Sequence, residues 1–234
     1  MDKLTRKELK SDKFAQEVQH SVEYVSEHRK QMTRWGGLAV AVVLIVIGIL
    51  WYRNYQHDAR QEALHATMLI QNSTVGPTQS EYVVSFPTSD ARKTAVVKAW
   101  RDFAAKYSGT EEGGIAEFFL GTNAADDGNL PEAAKHFKVA IDTCSAPYAS
   151  EAKLALAQIY SAQGKTNDGV QLIQSVIDHP TVMVSKDSAI LALAELVKTS
   201  DPQRAKKLLD PLRTSTRGAV SKAAITLGSS LSQQ

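Results

Sequence analysis

An uninterrupted apolar segment near the N-terminus is the clearest feature in the pattern of hydrophobic and polar positions. Residues 35–52 read WGGLAVAVVLIVIGILWY and contain no charged residue. As a helix this segment would be about 27 Å long, close to the thickness of the hydrocarbon core of a bilayer. Aromatic residues stand at both ends, and Arg34 and Arg53 flank it, as is typical of the two membrane interfaces. The pattern predicts a transmembrane helix rather than a buried core helix, which is usually shorter or keeps a polar face.

The residues around this segment predict an uncleaved signal anchor. Thirty-four residues precede it, and the bulky Trp51-Tyr52-Arg53 follows where a signal peptidase needs small residues. Residues 1–34 contain eight Lys and Arg, whereas the twenty residues after the segment contain two. Because positively charged flanks stay on the cytoplasmic side, we expect residues 1–34 to form a cytoplasmic tail. Residues 53–234 would then face the periplasm or the outside of the cell.

Helical spacing continues on both sides of the predicted span. In the tail, one helical face carries Phe14, Val18, Val22 and Val25. This amphipathic helix is either a short solvated helix or a docking face for a membrane-bound partner. After the span, the spacing predicts a stalk helix to about Ile70, which breaks at residues 72–77. We expect residues 78–90 to be a loop packed on its neighbours rather than a strand, so that 53–90 form a stalk helix and loop.

The rest of the chain repeats a two-helix pattern. Successive copies start at Leu120-Gly121, Leu156-Ala157 and Leu193-Ala194, which are 36 and 37 residues apart. In the first two copies, apolar residues return 17 and 20 positions after the first leucine, as Phe137 and Ala140 do in the first copy. In the third copy, whose turn is one residue shorter, Leu209 and Leu212 stand at 16 and 19 positions. Leu227-Gly228 begins a fourth first helix, which we interpret as a C-terminal capping helix. The pattern predicts an all-α repeat domain over residues 91–234.

This spacing resembles the tetratricopeptide repeat, whose pattern is W-x2-LG-x2-Y, then A-x3-F, then a proline. Upstream, Ala99-x3-Phe103 imitates the second helix of such a unit, so the stalk helix and this segment could form a degenerate leading repeat. The resemblance implies a right-handed helical solenoid behind the single membrane helix. The whole layout, a basic tail, one signal anchor and an alanine-rich repeat domain, is similar to the ancillary SecYEG translocon subunit family, the YfgM-like proteins.

That resemblance implies a protein of the bacterial inner membrane that lies beside the protein-export channel. Its repeats would be periplasmic and would contact Sec translocon subunits, chaperones or newly exported chains. The alternative is a cell-envelope or cell-division scaffold whose repeats mediate self-association, so that the chain forms homo-oligomers. In both cases the expected partners are proteins, and one transmembrane helix anchors the chain in the membrane.

Composition and motifs argue against an enzyme or a nucleic-acid-binding protein. The net charge of +2, from 27 basic and 25 acidic residues, produces no strong positive potential of the kind that binds nucleic acid. The sequence has no G-x-S-x-G, H-E-x-x-H, C-x-x-C or glycine-rich phosphate loop, so we expect no catalytic residues, no metal and no cofactor. The single Cys144 has no basic residue near it in the sequence that would activate its thiolate.

The candidate binding site is the concave surface that the first helices of stacked repeats usually line. Projection of the first-helix positions onto this surface selects Phe118, Thr122, Leu154, Gln158, Leu191 and Glu195. Since Lys and Asn do not occupy these positions, we expect an apolar or extended segment as the ligand rather than a terminal carboxylate. The alternative is that Phe118, Leu154 and Leu191 only seal the core between helices.

Overall fold

A computed structural model describes residues 29–77 and 83–231 of the chain. The amphipathic helix expected around residues 14–25 lies outside the described residues. Within them the fold is almost entirely helical, with nine α-helices, which confirms the predicted all-α class. The chain divides into two compact units, residues 1–59 and residues 60–234.

Helix α1, Arg29–Gln71, contains the predicted membrane span. Its apolar side chains are exposed along the whole of residues 35–52. From Thr33 onward the helix is long and apolar enough to cross a membrane, on the basis of length and composition. Because exposed leucine, isoleucine and valine side chains at this density are unfavourable in water, this part of α1 is consistent with a single-pass membrane helix.

Eight shorter helices follow α1 in the second unit. They are α2 (Ser89–Lys106), α3 (Glu111–Asp126), α4 (Leu130–Thr143), α5 (Ala146–Ala162), α6 (Thr166–Asp178), α7 (Lys186–Val197), α8 (Pro202–Leu209) and α9 (Gly218–Leu231), with a 3₁₀ helix at Asp210–Thr214. Side-chain oxygens of Thr88, Thr110, Asn129, Ser185 and Asp201 accept a hydrogen bond from the third residue of the helix that each precedes. The sequence therefore starts most of these helices locally.

The prediction that residues 78–90 contain no strand is wrong. Two short strands, β1 (Thr74–Val75) and β2 (Ser85–Phe86), pair in parallel. The guanidinium of Arg92 on α2 donates to the carbonyls of Gln71 and Ser73, at 2.6 and 2.7 Å, and so holds the end of α1 beside the start of α2. The Arg92 hydrogen bonds lie directly before β1 in the chain. The strands escaped prediction because a strand of two residues has no periodicity that a sequence pattern could show.

The repeat positions identified in the sequence form the core of the second unit. Pairs α3/α4, α5/α6 and α7/α8 each bury their repeat residues: Leu120, Ala133, Phe137 and Ala140 in the first, Leu156, Ala157, Ile173 and Val176 in the second, and Leu193, Ala194, Ala205 and Leu209 in the third. Gly128 and Gly164 turn the chain within the first two pairs with φ of +74° and +77°, a conformation that favours glycine.

Glycine also sets the spacing between the helices of a pair. A Cβ added to Gly121 on α3 would lie 2.8 Å from the ring of Phe137 on α4. A Cβ added to Gly169 on α6 would lie 2.7 Å from the carbonyl oxygen of Ala157 on α5. Gly169 stands where the repeat pattern has a small alanine, and glycine is needed there because the two backbones approach too closely for a side chain.

The last twelve residues of α1 belong to the repeat unit, which begins at Arg60. Ala63, Leu64, Met68 and Ile70 pack against a buried cluster around Trp100 of α2. Trp100 is fully buried, and its indole Nε1 donates to Gln71 Oε1 at 2.7 Å. Residues 60–71 thus contribute side chains to the buried cluster around α2, ahead of α3/α4. That the stalk helix and α2 form a degenerate leading repeat stays a prediction.

Candidate functional site

The first helices of consecutive pairs contact one another along the second unit. Helix α3 contacts α5, α5 contacts α7, and α7 contacts α9. We call the surface that these four helices share the first-helix face. Two clefts open along it, and both have α7 as a wall.

The first cleft, between α5 and α7, has a volume of about 660 Å³ and is lined mostly by polar residues, although polar and apolar atoms share its surface about equally. Its walls carry Gln158, Ser161 and Ala162 from α5, Thr166 from the start of α6, and Ala192, Glu195, Leu196, Thr199 and Ser200 from α7 and the turn after it. Hydroxyl and amide groups can both donate and accept hydrogen bonds. The α5–α7 cleft can therefore bind polar groups of either kind.

The second cleft, between α7 and α9, is mostly apolar and has a volume of about 700 Å³. It is lined by Leu191, Ala192 and Glu195 from α7 and by Ala219, Lys222, Ala223, Thr226, Leu227 and Ser230 from α9. Ala192 and Glu195 line both clefts. The carboxylate of Glu195 pairs with Lys198, which follows the last residue of α7. The lining of the α7–α9 cleft is therefore mainly apolar, with one acidic side chain, Glu195, and one basic side chain, Lys222.

The structure divides the six predicted site residues into packed and accessible ones. Phe118 is half-buried, and its ring lies 5.8 Å from the rings of both Phe137 and Tyr148. Leu154 and Leu191 are half-buried against the C-terminal core cluster, although Leu191 also lines the α7–α9 cleft. These contacts are what the core-sealing alternative expects of the three apolar positions.

The polar members of the predicted set behave differently. The Thr122 hydroxyl donates to the carbonyl of Phe118 within its own helix, at 3.1 Å. Gln158 and Glu195 are exposed, and both line the α5–α7 cleft. Of the predicted residues, Gln158, Glu195 and Leu191 are thus the ones that line a cleft on the first-helix face.

Sequence reasoning did not identify the residues that α9 contributes. Lys222 and Leu227 complete the α7–α9 cleft, but α9 was interpreted only as a capping helix. A signal for a fourth first helix was present, because Leu227-Gly228 repeats the start of the earlier first helices. Projection from that start selects Ile225 and Ser229, however, and neither of them lines the α7–α9 cleft, so the cleft residues of α9 follow only from the structure.

No cluster suited to a metal ion occurs among the residues that the structure describes. The closest polar grouping lies in a separate cleft between α2, α3 and α4, where His136 Nδ1 is 2.5 Å from a Glu117 oxygen and Nε2 is 3.2 Å from a Glu132 oxygen. Burial, with a smaller contribution from the charge of Glu111, raises the pKa of the Cys144 thiol to about 12. A thiol with that pKa is a poor nucleophile at neutral pH.

Stacked helix pairs with buried small residues at their contacts define a helical-repeat protein. The family model described as a tetratricopeptide repeat-like domain matches residues 30–187, and the chain belongs to this family. No curated protein and no solved structure matches the chain significantly. Membership indicates a scaffold for protein–protein interactions, in a family that is typically not catalytic.

Proposed function

We propose that this protein is a membrane-anchored scaffold that binds a segment of a partner protein across the two clefts of the first-helix face. The observation that carries the proposal is that the two clefts are adjacent, because Ala192 and Glu195 line both of them. A bound segment can therefore make hydrogen bonds in the α5–α7 cleft and place an apolar side chain in the α7–α9 cleft at the same time. Repeat proteins commonly bind partners along such a surface.

The proposed setting is the bacterial inner membrane, with the N-terminus in the cytoplasm and the repeats in the periplasm. The excess of Lys and Arg before the apolar segment supports this orientation. The similarity of the layout to ancillary SecYEG translocon subunits supports partners in protein export: subunits of the channel, periplasmic chaperones or newly exported chains. Tethering near the channel would raise the local concentration of the repeats around such partners.

A site-specific photo-crosslink tests both the surface and the partner. The photoreactive residue is placed at Gln158, in the α5–α7 cleft, and in a matched variant at Gln171, an exposed glutamine on α6 outside the two clefts. In intact Gram-negative cells we expect position 158 to capture channel subunits, chaperones or exported chains and position 171 to capture far less. Protease added to the periplasmic side should digest the repeats.

Three results would contradict the proposal in distinguishable ways. Equal capture from both positions would mean that the first-helix face is not the binding surface. Capture of only other copies of this chain would replace export by self-association, as in the envelope-scaffold alternative. Protection of the repeats from periplasmic protease, with cleavage after lysis, would overturn the orientation and with it the export setting.

A further inference from the structure

The cleft between α2, α3 and α4 shares no lining residue with the two clefts of the first-helix face. It has a volume of about 560 Å³, and α3 packs against both α2 and α4. Helix α3 lines it with Glu117 and Leu120, whereas the predicted site positions Phe118 and Thr122 on the same helix do not line it. This α2–α4 cleft is therefore a separate opening on the repeat unit.

His136 lies between two carboxylates in the α2–α4 cleft. Its Nδ1 is 2.5 Å from Glu117 Oε2, and its Nε2 is 3.2 Å from Glu132 Oε1. A neutral imidazole has one N–H donor and one acceptor nitrogen, so it can donate to only one of these carboxylates. The shorter contact places the proton on Nδ1, which then donates to Glu117. Nε2 is left as an acceptor that faces a second acceptor, the Glu132 oxygen.

Two acceptors in this arrangement favour a positively charged hydrogen-bond donor beside them. The chain's own cation at this place is Lys135, but its Nζ is 3.7 Å from Glu132 Oε1, which is longer than a hydrogen bond. The third carboxylate of the lining, Asp127, already pairs with Lys93. The Glu132 side chain is 45% exposed, so a group from solvent can reach it. An ammonium or guanidinium group of a ligand can therefore donate to both acceptors.

The rest of the lining favours a protein side chain over a free small cation. Val97, Leu120 and Ala124 provide apolar surface for the methylene stem of a lysine or arginine. Arg101 of α2 also lines the cleft, and it forms no ion pair among residues 29–77 and 83–231. A carboxylate on the same ligand can bind Arg101 while the cation binds Glu132. A segment with one basic and one acidic side chain therefore matches the cleft.

We propose that the α2–α4 cleft binds a segment of a partner protein that carries a lysine or arginine and, close to it in the segment, an acidic residue. The cationic group donates to Glu132 Oε1 and His136 Nε2, and the acidic group binds Arg101. This site goes beyond the proposed function, because none of these three residues lines the clefts of the first-helix face. It can be present even if the first-helix face binds nothing.

The probe is a set of fluorescein-labelled synthetic nonapeptides, in pairs that differ only in the central residue, lysine or norleucine. Binding to the full chain in detergent micelles is followed by fluorescence anisotropy. We expect the lysine peptides to bind about tenfold more tightly, the effect of one charge-assisted hydrogen bond, and Glu132→Gln to abolish this preference. In further pairs, a glutamate beside the lysine should bind better than a glutamine, and Arg101→Gln should abolish that preference alone.

Glu62→Gln is the matched control, since Glu62 is an exposed glutamate on α1 that lines none of the three clefts. It removes the same charge and should leave the lysine preference unchanged, and far-ultraviolet circular dichroism should show that all variants keep their helix content. Absence of saturable binding, equal binding of the paired peptides, or a lysine preference that survives Glu132→Gln would overturn the proposal. Tighter binding of free cadaverine than of any lysine peptide would overturn the assignment to a protein ligand.

Nuclear magnetic resonance of protein labelled with nitrogen-15 histidine checks the state of His136 independently. His136→Gln assigns the signals of this ring. At pH 8 we expect the nitrogen shifts of a neutral imidazole that carries its proton on Nδ1. Shifts of an imidazolium would overturn the proposal, because both ring nitrogens would then donate and Nε2 would offer no acceptor to a ligand.

Discussion

Arg60 and Glu112 form a buried ion pair that joins the end of α1 to the start of α3. Arg60 Nε lies 2.9 Å from Glu112 Oε2, and Gln61 Nε2 donates to Glu112 Oε1 at 3.0 Å. The Glu112 side chain is 3% exposed and the Arg60 side chain 22%. Arg60→Met keeps most of the aliphatic stem but removes the guanidinium group from the buried carboxylate.

The expected loss is about 2–3 kcal/mol in the free energy of unfolding. Loss of a charged hydrogen-bond donor costs about 1.5–3 kcal/mol, and breaking a fully buried ion pair costs about 3–5 kcal/mol. The lower part of this range applies because Gln61 keeps its hydrogen bond and because Arg60 is partly solvated. The assay is urea denaturation of the full chain in detergent, followed by circular dichroism at pH 7.

The pH dependence provides an independent check. Burial raises the pKa of Glu112, but hydrogen bonds from its backbone N–H, Arg60 and Gln61 together lower the pKa by more. The pKa therefore lies below its ordinary value of 4.5. The ion pair therefore stabilises the fold fully above that ordinary value, and its contribution is lost as the pH falls through the lowered pKa. The difference between wild type and Arg60→Met should be complete at pH 7 and shrink in acid.

Lys98→Met is the matched control, because Lys98 forms an ion pair with Asp102 in which both side chains are well exposed. Exposed pairs of this kind contribute about 0.3–0.5 kcal/mol. If Arg60→Met costs no more than this control, Glu112 is effectively solvated and the argument from a buried carboxylate is wrong.

Three further predictions test the packing and the chemistry of the repeat unit. Gly121→Ala should lower the free energy of unfolding by about 1–3 kcal/mol in the same denaturation assay, because the added Cβ meets the aromatic ring of Phe137 on α4. Gly218→Ala is the control, since a Cβ at Gly218 meets no neighbouring atom and should cause little steric destabilisation. Phe118→Asp should lower the midpoint of unfolding strongly, because the substitution buries a charge among aromatic rings. Gln158→Asp, at an exposed position, should not lower the midpoint. Similar midpoints for the two variants would mean that Phe118 is a surface residue. Alkylation of Cys144 by iodoacetamide should stay slow at pH 8 and accelerate only as the pH approaches about 12; fast labelling at pH 8, measured by mass spectrometry, would contradict its burial.

The local features of this protein follow from its sequence alone. Eighteen apolar residues can be recognised without a structure, because burial in lipid requires an unbroken apolar run. The repeat period, the turn at Gly128 and the capping residues are also local, since each reflects backbone conformation or helical spacing within a few residues. For this reason the all-α class and the positions of the helix pairs follow from the sequence pattern.

Whether a given helix face is packed or exposed depends on contacts between repeats, which the sequence pattern does not show. Phe118 and Ile225 hold the same repeat position, yet the first contacts two rings and the second is exposed, because the neighbours that cover a helix come from other repeats. The α7–α9 cleft and the β1–β2 pairing likewise depend on contacts between segments far apart in the chain. Periodicity shows that a helix has an apolar face, but the partner of that face depends on how the helices stack.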